Sequence, residues 1–159
     1  MEFHNFPALF DENSEILILG SFPSQKSREA QFFYGHPQNR FWLVLSTILR
    51  AKLPQSIEEK RKMLLENKIA LWDVIKSCEI VGSSDSSIKN VVPNDISSIL
   101  KESKIKRIFV NGKTAEKYYN KYILNSTQIP AIVLPSTSPA NAAYSLERLI
   151  DEWKVILEK

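Results

Sequence analysis

The chain has 159 residues, 43% hydrophobic and 25% charged, which suits one globular domain with a sizeable core and leaves no room for a second. Twenty-one Lys and Arg against eighteen Asp and Glu give a net charge of +3, too mild to specify a nucleic-acid partner by itself. One cysteine (Cys78) and two histidines (His4 and His36) cannot build a Cys-rich zinc site, hold a cluster on four thiolates or close a disulfide within the chain, so neither a metal nor a cofactor is expected.

The stretch from Met1 to Pro7 lacks the basic start and apolar core of a leader peptide. The longest apolar run, Phe41 to Leu45, is too short to span a bilayer, so a cytoplasmic protein without a membrane partner is expected. Glu15-Ile-Leu-Ile-Leu-Gly20 is a short apolar run ended by glycine, the pattern of a strand buried on both faces of a parallel sheet. Asn39 to Leu49 follows as a helix apolar on nearly every side. Ser56-Ile-Glu-Glu59 has capping-box spacing and opens a helix through Asn67. Ile69 to Ile75 reads as one strand, and Ser77 to Asn94 as a long polar linker. Asp95 caps a helix over Ile96 to Glu102. Arg107 to Gly112 is the third strand, Thr114 to Leu124 a helix, Ala131 to Pro135 the fourth strand, and Leu146 to Leu157 a helix with one apolar stripe.

Strands alternating with helices predict an α/β domain whose ligand lies beyond the carboxyl ends of the strands. Gly112-Lys113-Thr114 there is not a phosphate loop, because Arg107 stands where that motif needs its first glycine; a plain turn or a phosphate-attracting helix start both fit. A serine hydrolase is disfavoured by the absence of G-x-S-x-G. Phe32-Phe-Tyr-Gly-His-Pro-Gln-Asn-Arg-Phe-Trp42 places flat rings among hydrogen-bonding groups, which suits a planar heterocycle; Phe41 and Trp42 are expected in the core, and Tyr34, His36 and Asn39 in the site. Lys104 to Lys121 carries six bases and one acid, so a phosphate-facing surface or a solvated helix face is expected near the third strand.

Three blocks, Gly20-Ser-Phe-Pro-Ser24, Tyr34-Gly-His-Pro-Gln-Asn-Arg-Phe-Trp42 and Leu134-Pro-Ser-Thr-Ser-Pro-Ala-Asn141, together resemble the uracil-DNA glycosylase superfamily, with the hypoxanthine-DNA glycosylase branch as the best match. The second block and Gly112-Lys-Thr-Ala115 are also similar to mismatch-specific uracil and thymine glycosylases. Where related enzymes carry Asp or Asn in the first motif this chain has Phe22, which cannot orient water, and the last motif begins with Ser136 in place of His or Asn.

The resemblance implies a three-layer α/β/α sandwich with a central, mostly parallel four-stranded sheet, forming a single glycosylase domain over residues 1–159. It implies a monofunctional DNA glycosylase that flips a deaminated base, hypoxanthine first, out of double-stranded DNA and hydrolyses its N-glycosidic bond. Uracil removal from mismatches, or a non-catalytic nucleic-acid module on the same fold, are the alternatives. Asn39 and His36 are the implied catalytic residues. Gly20, Ser21, Phe22, Pro23 and Ser24 are expected to read the base edge through backbone groups, and Tyr34 to stack on the base. Ser136, Thr137, Ser138, Pro139, Ala140 and Lys113 are expected at the DNA, with Ala140 standing where relatives carry a bulky wedge. A monomer without metal is expected, its catalysis running on an asparagine, one histidine and oriented backbone dipoles.

Overall fold

In the computed structural model, which describes residues 1–158, the chain runs β1 (Glu2–Phe3), β2 (Ile16–Gly20), α1 (Gln25–Ala30), α2 (Phe41–Ile48) and α3 (Ile57–Glu66). It continues through β3 (Ile69–Asp73), β4 (Ile75–Glu79), β5 (Lys89–Pro93), α4 (Ile96–Lys101), β6 (Arg107–Asn111), α5 (Lys113–Tyr122), α6 (Leu124–Thr127), β7 (Ala131–Leu134) and α7 (Leu146–Trp153). One-turn 3₁₀ helices lie at Asp85–Ser87 and Lys154–Leu157.

The central sheet has the order β3-β2-β6-β7, and every neighbouring pair is parallel. Because successive side chains of a strand point to opposite faces, each apolar strand feeds two cores. Ile16, Ile18, Ile69, Leu71 and Phe109 face one core, which α2, α3 and α7 cover with Phe41, Leu45, Leu64, Leu149 and Trp153. Leu17, Leu19, Ala70, Ile108 and Val110 face the other, covered by Ile96 and Ile99 of α4 and by Tyr118 and Tyr119 of α5. This is the expected three-layer arrangement. The helix starts follow the sequence: the hydroxyls of Ser56 and Ser145 and the carboxylate of Asp95 each accept an amide three residues on. Glu59 reaches back to the amide of Gln55, one residue outside the cap position of a strict capping box.

Two expectations need correction, and two further features add to them. The run Ile69 to Ile75 is two strands, not one. The chain leaves the central sheet at Val74, whose amide donates to Gly20 O at 2.8 Å, and β4 then joins a second, antiparallel sheet of order β1-β4-β5. The segment Ser77 to Asn94 is therefore not all linker: it holds the end of β4 and the whole of β5, and its polar residues 82–87 form the turn between them. The loop between β2 and Asn39 contains α1, capped by the Ser24 hydroxyl, which accepts from Ser27 N at 3.2 Å. Finally β7 is not buried on both faces: as an edge strand it leaves Ile132 and Val133 each 42% exposed.

Cys78, on β4, is fully buried, and burial pushes its thiol above the ordinary range. The native protein is expected to resist a maleimide or an aromatic disulfide reagent at neutral pH and to react stoichiometrically once unfolded in denaturant. Mass spectrometry of the two samples checks this.

Candidate active site

The chain passes from β2 to β3 on one side and returns to place β6 on the other, so strand order reverses at β2. Parallel strands end together there, and the crevice beyond their carboxyl ends is where such sheets bind ligands. A cavity of about 480 Å³ lies at that point, within the range of small-molecule sites. Gly20 comes from the end of β2, Asp73 from the end of β3, Asn111 from the end of β6, and Ser136 to Ala140 from the loop after β7. The loop before α2 adds Phe33, Tyr34, His36 and Asn39, and the turn at Ser83 to Ser86 closes one rim. All the residues expected in the three sequence blocks line this cavity. Lys113 does not; it is exposed at the start of α5.

Asn39 sits just before α2, and its side-chain oxygen accepts the Phe41 amide at 2.9 Å. Only an oxygen can accept from an amide, so the orientation of this carboxamide is fixed and its NH₂ is left as a donor. His36 is oriented the same way: Nδ1 accepts from Gln38 N at 3.1 Å, so the proton of the neutral ring sits on Nε2. Both residues line the cavity, and each keeps an N–H that it can donate.

Tyr34 has a left-handed backbone (φ 52°), a conformation that costs an aromatic residue about 1–2 kcal/mol. Its ring stacks on Phe41, with centroids 4.0 Å apart and planes within 11°, so one face is covered. The chain around it is tied to the first block: Ser24 donates to Ser27 Oγ at 3.1 Å, and Ser27 Oγ accepts from Gly35 N at 2.8 Å. Burial foremost, and the Asp73 carboxylate next, hold the Tyr34 phenol well above its ordinary pKa, so it stays protonated.

The first block serves the base edge differently from expectation. The carbonyls of Gly20 and Ser21 are taken by the amides of Val74 and Ile75, and that of Ser24 by Arg28 N. The Phe22 ring is buried, edge-on to His4 and beneath the Arg28 guanidinium. Of the block's carbonyls, those of Phe22 and Pro23 are left without a hydrogen-bond partner among the described residues. Ser21 Oγ donates to Asp85 Oδ1 at 3.4 Å, and burial raises the pKa of that carboxyl. Glycine at position 20 is required by space: a Cβ there would lie 2.4 Å from Asp73 Oδ1 and 3.2 Å from Tyr34 Oη. Gly20→Ala is expected to cost about 1–3 kcal/mol by overpacking and to lower the melting temperature by several degrees, read by calorimetry.

The last block needs the clearest correction. Thr137 is fully buried and exchanges two hydrogen bonds with Asn111, accepting from Nδ2 at 3.0 Å and donating its amide to Oδ1 at 3.1 Å, so it anchors the loop and does not touch DNA. The amides of Ser138 and Ala140 are satisfied by Ser136 Oγ and Ser138 Oγ, both at 3.1 Å. Pro139 has no N–H, so the Ser136 and Ser138 hydroxyl protons are the side-chain donors left for a phosphate. Arg40 holds the loop down, donating to the carbonyls of Ser138, Asn141 and Tyr144, while its own amide donates to Thr137 O at 3.1 Å.

The basic segment does not form one face. Arg107 lies at the amino end of β6, donating to Ile156 O, and Lys104 reaches Asn13; Lys113 lies beyond the opposite end of the same strand. The sequence also missed three groups. Asp73 and Asp85 bring carboxylates to the cavity, so the expectation of a site run on one asparagine, one histidine and backbone dipoles is too narrow. His4 reaches beneath it, Nε2 2.8 Å from Asp73 Oδ2, with both side chains buried. An acid set inside an apolar run was the available signal for Asp73. Among the described residues no group of three or more His, Cys, Asp or Glu gathers as for a metal ion, and no helix is long and apolar enough to cross a membrane.

Residues 7–157 match the model of the uracil DNA glycosylase superfamily. A protein of Methanosarcina acetivorans named hypoxanthine DNA glycosylase is 42% identical over 154 residues, covering 95% of each chain. One of the same name from Methanosarcina barkeri is 40% identical over 145 residues, covering 89% of each. The solution NMR structure of a Methanosarcina acetivorans protein described as a candidate uracil DNA glycosylase superimposes with a TM-score of 0.81 at 39% identity, over 95% of this chain and 93% of that one.

Proposed function

This chain belongs to the uracil-DNA glycosylase superfamily, and from that premise we propose that it is a monofunctional, monomeric DNA glycosylase that excises hypoxanthine from double-stranded DNA without a metal. The observation that carries the reading is the cavity itself, where all three sequence blocks converge and two side chains, fixed by their own hydrogen bonds, each keep an N–H to donate.

Flipping the nucleotide out of the duplex costs roughly a few kcal/mol, least for a weakly paired lesion. The extruded base rests against the open face of Tyr34. In hydrolysis the bond between C1′ and the base nitrogen breaks, its electron pair leaves with the base, and a water oxygen bonds to C1′. One proton from that water is released and the departing base takes up one. Negative charge therefore grows on the base, and the Asn39 NH₂ and His36 Nε2–H are donors of the kind that stabilise it. The amides of the first block add to that field. Ser136 and Ser138 hold the flanking phosphates through their hydroxyls.

The test is a panel of duplexes carrying hypoxanthine, uracil, xanthine or a thymine mismatch, incubated with the purified protein and then cleaved with alkali at abasic sites. Strand breaks at hypoxanthine above all others support the proposal. Preference for mismatched uracil moves the substrate to the sister branch, and binding without breaks makes the chain a non-catalytic module.

A further inference from the structure

Hydrolysis needs a group that takes the proton of the attacking water, and neither side chain placed at the bond supplies one. The Asn39 carboxamide has no basic atom, and His36 spends its Nδ1 lone pair on the Gln38 amide. Tyr34 stays protonated, and Phe22 in the first block offers only a ring. Two carboxylates line the cavity, and they differ in their access to water. Asp73 is 4% exposed, packed against Gly20 and bonded through Oδ2 to His4, whereas Asp85 is exposed on the rim.

The turn that carries Asp85 is fastened to the first block and to the helix that follows it. Ser83 Oγ accepts from Gln25 N at 2.9 Å, the Arg28 guanidinium donates to Gly82 O at 2.8 Å, and Ser21 Oγ donates to Asp85 Oδ1 at 3.4 Å. Within the turn, Ser87 Oγ accepts from Val81 N at 2.8 Å and donates to Ser84 O at 2.6 Å, and Gly82 takes a left-handed φ of 61°. These bonds hold an acid beside Ser21, the residue that immediately precedes Phe22.

We propose that Asp85 is a catalytic residue of the hydrolysis: it takes the proton of the attacking water and sets a negative charge toward the sugar as the sugar turns positive. The proposal rests on the reading of the cavity as a glycosylase site. As the bond from C1′ to the base nitrogen breaks, its electron pair leaves with the base and positive charge gathers on the sugar, which a carboxylate stabilises as it does in glycoside hydrolysis. The water oxygen bonds to C1′, and one of its protons passes to Asp85 and from the exposed rim to solvent. The departing base takes its own proton from solvent. A carboxylate has about four acceptor positions, so the bond from Ser21 leaves room for the water. Desolvation holds the Asp85 carboxyl above its ordinary range, with the Thr114 and Ser21 hydroxyls drawing it back, and a base so raised accepts a proton more readily. The placement works against binding, because a negative charge at the mouth repels phosphates. Binding and chemistry therefore respond to this residue with opposite signs.

The test measures single-turnover excision from a hypoxanthine duplex at saturating protein, and binding of an undamaged duplex of the same sequence, for wild type, Asp85→Asn and Asp85→Ala. Both variants should lose about a hundredfold or more in maximal rate while binding the undamaged duplex at least as tightly as wild type. The asparagine variant keeps an acceptor for Ser21, so its loss is not a loss of the turn. Sodium formate, compared with sodium chloride at equal concentration, should raise the rate of Asp85→Ala about tenfold by entering the vacated space as a carboxylate, and should leave wild type and Asp85→Asn unchanged. Rates within about threefold of wild type in both variants, weaker binding in step with the fall in rate, or no response to formate in a folded alanine variant would overturn the inference. Wild-type protein that releases no hypoxanthine overturns the reading of the cavity instead.

Discussion

Asn39→Asp is expected to leave the protein folded and nearly inactive. The Asn39 oxygen caps the amide of Phe41 at the start of α2, and an aspartate oxygen does that equally well, with the added favour of a negative charge at a helix amino end. What the substitution removes is the NH₂ donor, and it sets a negative charge where the departing base becomes negative. Loss of one such donor alone lowers turnover by about 10² to 10³, and the added repulsion places the aspartate variant at or beyond the upper end. Asn39→Ala loses both functions, so it should show a similar fall in rate together with about 1 kcal/mol of destabilisation from the lost hydrogen bond to the Phe41 amide. Single-turnover cleavage of a hypoxanthine duplex and thermal melts of the same preparations separate the two effects. Near-normal excision by either variant would refute a role for this side chain in the chemistry.

The second large effect is expected at Arg40, which touches no substrate. Its guanidinium fans onto three carbonyls, of Ser138, Asn141 and Tyr144, spread across the loop that follows β7, while the preceding residue is Asn39. It therefore locks the loop proposed to hold the phosphates to the residue proposed to act at the bond being broken. Arg40→Met should cost about 2–4 kcal/mol, since hydrogen bonds to charged groups are worth roughly 1.5–3 kcal/mol singly and do not add. It should lower kcat/KM on DNA by about a hundredfold, the size of effect that a displacement of about 1 Å produces. Arg40→Lys should rescue little, because a point charge cannot serve three acceptors that a planar fork spans. Melting curves and steady-state kinetics on the same duplex check both figures; full activity in the methionine variant would show that the loop is held without the clamp.

These residues also show what the sequence made legible. The four strands of the central sheet were readable because each is a short apolar run, and two helix starts because Ser56 and Asp95 are ordinary caps. Asn39, His36 and Tyr34 were readable because polar and aromatic groups crowd a loop after a strand. Asp73 was hidden by its neighbours: Val74 and Ile75 continue the apolar run, and nothing in the order of residues says that the chain changes sheets between them. Thr137 was misplaced because a hydroxyl in a site loop looks the same whether it faces a phosphate or, as here, Asn111. His4 could not be found at all from pattern, since its partner is 69 residues away.

The pairing of β1 with β4 joins Glu2 to Cys78 and Phe3 to Ser77 across almost half the chain. Sequence-distant pairing of this kind is slow, because a long loop must close before any bond rewards it. During synthesis the first strand waits for the fourth to emerge, while β2 and the helices after it already have local contacts to make. The central sheet waits longer still, because β2 pairs with β6 from Ile16 to Arg107, a wider separation than that from Glu2 to Cys78. A chain in which β1 and β4 have paired but β6 has not yet joined β2 would carry His4 against Asp73 and still lack the crevice at the strand ends.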